Sequence, residues 1–91
     1  MITNELIVAG RVQGVGFRYM TKIVADQLHV TGTVENLMDG SVRIVAQADE
    51  ETMDKFLTKI KESPSPAGHV QNLRITELTG VEPLHSFRVT G

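Results

Sequence analysis

The amino-acid sequence predicts an α+β fold, a two-layer sandwich with both helices on one face of a mostly antiparallel sheet. The hydrophobic pattern changes between strand and helix periods in the order β-α-β-β-α-β, with a further short β segment near the C-terminus. An Asp-Gly pair between the second and third strands indicates a hairpin. This order is typical of the ferredoxin-like arrangement, in which right-handed crossovers place the first and third strands at the centre.

The first half of the chain alternates between a strand and a helix. A strand is predicted over residues 5–10, because Leu6-Ile7-Val8-Ala9 is apolar enough for a central position. A glycine-containing loop follows, and a helix is predicted over residues 17–28. Its apolar residues are spaced by three and four, which predicts an amphipathic helix, and they are Phe17, Met20, Ile23, Val24 and Leu28.

The second half repeats the strand and helix signals. A hairpin is predicted over residues 31–47, because Asp39-Gly40 readily takes the positive φ angles of a tight turn. Asp49 is expected to cap the second helix, which a Ser/Pro-rich loop over residues 63–68 ends. A fourth strand is expected over residues 70–78 and a short terminal strand over residues 85–89.

Composition restricts the class of protein. The 91 residues, 41% of them hydrophobic, fit one modest core, so a single domain over residues 1–91 is expected. The net charge of −2 argues against nucleic-acid binding. Cysteine is absent, and no apolar run approaches the roughly 20 residues of a membrane helix. The N-terminus has no basic region typical of a signal peptide, so a cytoplasmic protein without membrane contact is expected.

Metal binding is not indicated either. The three histidines, His29, His69 and His85, are scattered and show no metal-ligand spacing. No metal site is therefore expected.

The stretch from Gly10 to Arg18 carries the main chemical signal. A strand, a loop with glycines and a helix start together form a common anion cradle, because backbone N–H groups and the helix dipole meet at one point. Arg18 lies in the first helical turn, where the dipole disfavours a cation, and no acidic residue between Phe17 and Thr21 offsets it. We predict a site for an anion such as phosphate between Arg18 and the loop amides. The alternative is a tight turn followed by a solvated arginine.

Other glycine motifs do not fit this stretch. A dinucleotide fingerprint needs glycine where Tyr19 stands, and no Gly-Lys-Ser/Thr triplet of a Walker loop occurs. Tyr19 either flanks the anion pocket or packs at the edge of the helix, and packing is the favoured interpretation.

The nine residues Gly10-Arg11-Val12-Gln13-Gly14-Val15-Gly16-Phe17-Arg18 resemble the first signature of the acylphosphatase family at every defining position. Gly32-Thr33-Val34-Glu35-Asn36 resembles its second signature. The resemblance covers the whole chain in length and element order. It implies cofactor-free hydrolysis of small acyl phosphates to a carboxylate and inorganic phosphate. It also implies that Arg18 binds the phosphate and that Asn36 orients the attacking water. The remaining phosphate oxygens are expected to bind the backbone amides of the loop, at Gln13, Gly14, Val15, Gly16 and Phe17.

Two positions depart from the family pattern. Thr33 stands where an aromatic residue is usual, and Glu35 stands where a neutral or basic residue is commoner. Strand alternation predicts Val34 and Asn36 on one face and Glu35 on the other. A carboxylate near the phosphate would weaken binding by like-charge repulsion, which leaves the catalytic efficiency open.

A second function remains compatible with this fold. Without the family resemblance, Asn36 is interpreted as a turn residue at a strand end. The alternative function is a non-catalytic ferredoxin-like module that binds an anionic metabolite or a protein partner, because this fold hosts many functions. RNA binding is disfavoured, since aromatic residues make up only 4% of the chain. We expect a monomer that acts on a small molecule.

Overall fold

The computed structural model describes residues 1–91 and has two helices on one face of a five-stranded sheet. The elements are β1 (Ile2–Arg11), α1 (Phe17–Leu28), β2 (Thr31–Asn36), β3 (Val42–Ala48), α2 (Glu50–Lys61), β4 (His69–Leu78) and β5 (Phe87–Val89). The strand order is β4-β1-β3-β2-β5, and only β2 and β5 pair in parallel. The predicted fold class and the central positions of β1 and β3 are therefore confirmed.

Strand β1 is longer than its apolar run predicts. It begins at Ile2 rather than at residue 5, because Thr3 and Asn4 pair with β3 on one side and β4 on the other. The Thr3 hydroxyl accepts a hydrogen bond of 3.0 Å from the side chain of Gln47, and both residues are buried. A buried polar pair of this kind carries no hydrophobic signal in the local sequence.

The connection between β2 and β3 is a five-residue loop, residues 37–41, rather than a two-residue turn. Of the predicted turn pair, only Gly40 has a positive φ, of 94°. The Asp39 carboxylate accepts hydrogen bonds from the hydroxyl and, at 2.9 Å, the backbone N–H of Ser41. These bonds lower the pKa of Asp39. Asp39 therefore shapes the loop through its side chain rather than through a left-handed backbone.

The buried face of α1 differs from the predicted apolar stripe. Its fully buried residues are Phe17, Thr21 and Ala25, which succeed one another at intervals of four. The larger residues of the predicted stripe after Phe17 are only half-buried and flank this line. Small side chains allow the helix axis to approach the sheet closely, so they occupy the centre of the contact even though one of them is polar.

Helix α2 follows the sequence prediction. Asp49 caps it by accepting a hydrogen bond of 2.8 Å from the backbone N–H of Thr52, and this bond lowers the pKa of Asp49. Phe56 lies in the core against Phe87 of β5, with ring centroids 6.3 Å apart. The core contains 15 buried apolar residues from the sheet and both helices. Neither helix combines the length and apolarity required to cross a membrane.

Candidate active site

A pocket of about 390 Å³ opens where the loop between β1 and α1 meets the end of β2. It brings together several of the predicted site residues, although Arg18 and Asn36 are far apart in sequence. Gln13 and Val15 are not among its lining residues. The lining residues are Val12, Gly14, Gly16, Phe17, Arg18, Tyr19, Asn36 and Val89.

The backbone of the loop between β1 and α1 has free amide donors for an anion. Gly14 and Gly16 have left-handed backbones, with φ values of 76° and 77°, and Gly16 is the N-cap of α1 without a side-chain cap. None of the backbone amides of residues 13–19 donates a hydrogen bond to another group of the protein; the first helical N–H to do so is that of Met20, which bonds to Gly16. A run of free amides at a helix N-terminus favours a bound anion.

Arg18 adds a cation to these amides. Its side chain is half-buried and makes no hydrogen bond or ion pair within the protein. Arg43, which is also half-buried, instead pairs with Glu5 and Glu35. The planar guanidinium of Arg18 therefore keeps its donors available, and their geometry matches two oxygens of a phosphate.

Asn36 lines the same pocket, and its side chain carries an unpaired acceptor. It is the last residue of β2, and its side-chain Oδ1 is buried without a hydrogen-bond donor from the protein. A buried acceptor left unpaired costs about 1–3 kcal/mol, so a donor that reaches it is favoured. The amide of Asn36 can accept from one group and donate to another, which suits it to orient a small hydrogen-bonding molecule such as water.

The two departures from the family pattern lie on the opposite face of the sheet. The Glu35 carboxylate pairs at 3.4 Å with Arg43, which also binds Glu5 at 2.7 Å. The pKa of Arg43 is raised, chiefly by its hydrogen bond to Glu5. Thr33 is likewise not a lining residue of the pocket. The predicted alternation of β2 is confirmed, and Glu35 is paired with Arg43 away from the anion pocket.

Two side chains outside the pocket hold the loop in position. The Nε2 group of Gln13 donates hydrogen bonds of 2.8 Å to the carbonyl oxygens of both Leu37 and Ser41, in the loop that follows Asn36. The buried hydroxyl of Ser65 donates a bond of 2.5 Å to the carbonyl of Val15. Because C=O and N–H point in opposite directions across a trans peptide, this bond directs the Gly16 amide away from Ser65.

Sequence reasoning missed these bracing contacts. Gln13 stands inside the recognised motif, but its side-chain partners lie 24 and 28 residues further along the chain. Ser65 belongs to a segment with ordinary loop composition. The favoured interpretation of Tyr19 as a packed residue was wrong, since its side chain is 66% exposed and lines the pocket.

Known proteins share both the sequence and the architecture. The family model for acylphosphatase matches residues 4–89. The acylphosphatase of Enterococcus faecalis is 60% identical over 82 residues, which cover 90% of each chain. That of Latilactobacillus sakei is 48% identical over 87 residues, covering 96% of this chain and 95% of the relative. The crystal structure of acylphosphatase from Bacillus subtilis superposes with a TM-score of 0.95 at 37% identity, over 100% of both chains.

Proposed function

This chain belongs to the acylphosphatase family, and we propose that it hydrolyses small acyl phosphates with Arg18 as the phosphate-binding residue and Asn36 as the water-orienting residue. The observation that carries this proposal is the single pocket lined by Arg18 with its unpaired guanidinium, by the glycine loop with its run of free backbone amides, and by Asn36. The alternative interpretations of Arg18 as a solvated residue and of Asn36 as a turn residue leave this convergence without a reason.

The phosphate end of the substrate is bound first by charge and geometry. Two phosphate oxygens fit the fork of Arg18, and a further oxygen accepts from the amides around Gly14 and Gly16. These donors are in place before the reaction, because the two left-handed glycines and the bracing by Gln13 and Ser65 determine the course of the loop. Preorganised donors stabilise the charge that spreads over the phosphoryl oxygens in the transition state.

The attacking water is then held by Asn36. The side-chain amide of Asn36 holds this water by a hydrogen bond, which directs an oxygen lone pair toward phosphorus. The new bond forms between the water oxygen and phosphorus, and the bond between phosphorus and the acyl oxygen breaks. A phosphate oxygen of the substrate takes the water proton, so an acyl phosphate dianion and water become a carboxylate and dihydrogen phosphate. The carboxylate is a weak base and leaves without protonation, so the reaction needs no general acid. The substrate's phosphate oxygen takes the place of a general base, and the positioning of water and phosphate supplies most of the rate enhancement.

The remaining aspects of the proposal follow from the same site. One hydrophobic core includes residues of the sheet and of both helices, so we propose that residues 1–91 act as a single unit, and we propose a monomer. The net charge of −2 argues against a nucleic-acid partner. The absence of cysteine fits a reducing compartment, and we propose the cytoplasm.

Hydrolysis of benzoyl phosphate by the wild type, Arg18→Gln and Asn36→Ala tests these roles. We expect both variants to lose about 100-fold or more in kcat/KM, the scale of removing one preorganised donor from a reaction site. Arg18→Gln should also abolish stabilisation of the fold by inorganic phosphate. Asn36→Ala should retain that stabilisation, because it removes the water holder and keeps the anion site.

Matched controls come from the exposed strand β4. Arg74→Gln and Asn72→Ala make the same chemical changes at exposed positions outside the pocket, and circular dichroism monitors folding in every variant. Activity equal to the controls in Arg18→Gln or Asn36→Ala would remove that residue from the mechanism. A folded wild type that phosphate stabilises but that turns over no acyl phosphate would instead favour the non-catalytic binding module.

A further inference from the structure

The pocket has a polar end and an apolar rim. Apart from Arg18 and Asn36, its lining side chains are apolar or absent. Val12 and Phe17 are each 1% exposed and belong to the core, so they close the floor. Tyr19 and Val89 are 66% and 43% exposed and therefore form the open rim. These two come from the first turn of α1 and from β5, at opposite ends of the chain.

Single exposed apolar residues are common on protein surfaces, but their position here is informative. Six large hydrophobic residues of this chain are exposed, and two of them stand on the rim of one small polar pocket. The Tyr19 side chain makes no hydrogen bond within the protein, and its exposure shows that the core does not require the ring. An exposed apolar rim around convergent polar groups is typical of a ligand site.

The substrate proposed above has a matching polarity. Its phosphate is held at Arg18 and the loop amides, and the acyl group must project from the phosphate toward the remaining free space. The loop backbone and the buried floor close the inner directions, so the acyl group points to the mouth between Tyr19 and Val89. Arg18 is the only charged residue that lines the pocket, and the phosphate engages it, so nothing remains to bind a charge on the acyl group.

We infer that Tyr19 and Val89 form an acyl subsite that selects substrates with an apolar acyl group, aromatic or branched, over short or charged ones. This inference rests on the proposed hydrolysis of acyl phosphates. The Tyr19 ring supplies a flat face for an aromatic acyl group, and Val89 supplies the facing aliphatic contact. Aromatic contacts of this kind change a binding or rate constant by about two- to tenfold.

The test is the ratio of kcat/KM for benzoyl phosphate to kcat/KM for acetyl phosphate. We expect Tyr19→Ala to lower this ratio about three- to tenfold and Val89→Ala to lower it about two- to fourfold. Tyr19→Phe retains the ring and should retain the ratio. Val81→Ala is the matched control for Val89→Ala, because Val81 is 38% exposed and lies outside the pocket. The inhibition constant of inorganic phosphate, which has no acyl group, should change less than about twofold in Tyr19→Ala.

The outcomes separate this inference from the proposed function. If the wild type hydrolyses both substrates and neither alanine variant changes the ratio relative to Val81→Ala, the acyl subsite is refuted and the hydrolase stands. If Tyr19→Phe lowers the ratio as much as Tyr19→Ala, the hydroxyl and not the apolar ring is responsible, which also overturns the inference. If the folded wild type hydrolyses neither substrate, the proposed function itself fails.

Discussion

The side chain of Gln13 joins the glycine loop to the segment that follows Asn36, and its removal should weaken both the fold and the reaction. Gln13→Met retains the length of the side chain but loses the Nε2 donor, and with it two hydrogen bonds of 2.8 Å. Each such bond contributes about 0.5–1.5 kcal/mol net. The carbonyls of Leu37 and Ser41 retain other donors, the N–H groups of Gly40 and Leu37, so neither is left unpaired.

The expected loss from Gln13→Met is therefore about 1–2 kcal/mol in the free energy of unfolding, in the lower part of the range for two bonds. In a domain of this size it lowers the melting temperature by about 4–8 °C per kcal/mol. The measurement is urea unfolding, with Gln71→Met at an exposed position of β4 as the matched control. We also expect kcat/KM to fall at least about tenfold in the folded variant, because small displacements of catalytic groups are costly. Equal unfolding midpoints for the two variants would refute the bracing role of Gln13.

Three further predictions concern residues that lie outside the pocket. Glu35→Gln should leave kcat/KM for benzoyl phosphate within about twofold of wild type and change the free energy of unfolding by less than about 1 kcal/mol, because the Glu35 carboxylate pairs on the outer face of the sheet. A large change in activity would contradict the separation of this face from the pocket. Gly32→Ala should prevent folding, as measured by circular dichroism. An added Cβ would lie 1.7 Å from the carbonyl oxygen of Val45, and the φ of residue 32 is 144°. A native spectrum would contradict this clash. The hydrogen bond from Thr52 lowers the pKa of Asp49, so its stabilising contribution is present above the unfolded pKa and is lost as the pH falls through the folded one. Asp49→Ala should therefore lower the melting temperature at pH 7, and the difference in melting temperature from wild type should become smaller below about pH 4. A difference that does not change with pH would argue against the charged cap.

Where the pattern was local, the sequence predicted the elements closely. The bounds of α1 coincide with the predicted range, and Asp49 caps α2 as expected. Periodicity, a capping side chain and a glycine between a strand and a helix act over a few residues, so their consequences can be read without knowledge of the fold. The same holds for the left-handed Gly14 and Gly16, which the motif places in the loop.

The errors arose where a distant segment decides the outcome. β1 extends to Ile2 because β3 and β4 offer backbone partners to polar residues. The buried line of α1 passes through Thr21 and Ala25, because the sheet beneath the helix favours small side chains over larger ones. Neither effect can be predicted from the hydrophobic pattern of the segment itself.

By itself, the sequence determined the class of fold and predicted an anion site at the glycine loop with Arg18. The family resemblance added Asn36 as a candidate site residue. Only the tertiary structure decided how the site is enclosed and what its rim is made of. Parallel pairing of β5 with β2 brings Val89 to the mouth of the pocket, and the side chain of Gln13 joins two loops that are separate in sequence. Local conformation depends on neighbouring residues and can therefore be predicted from the local sequence, whereas contacts between distant segments exist only once the whole core has formed.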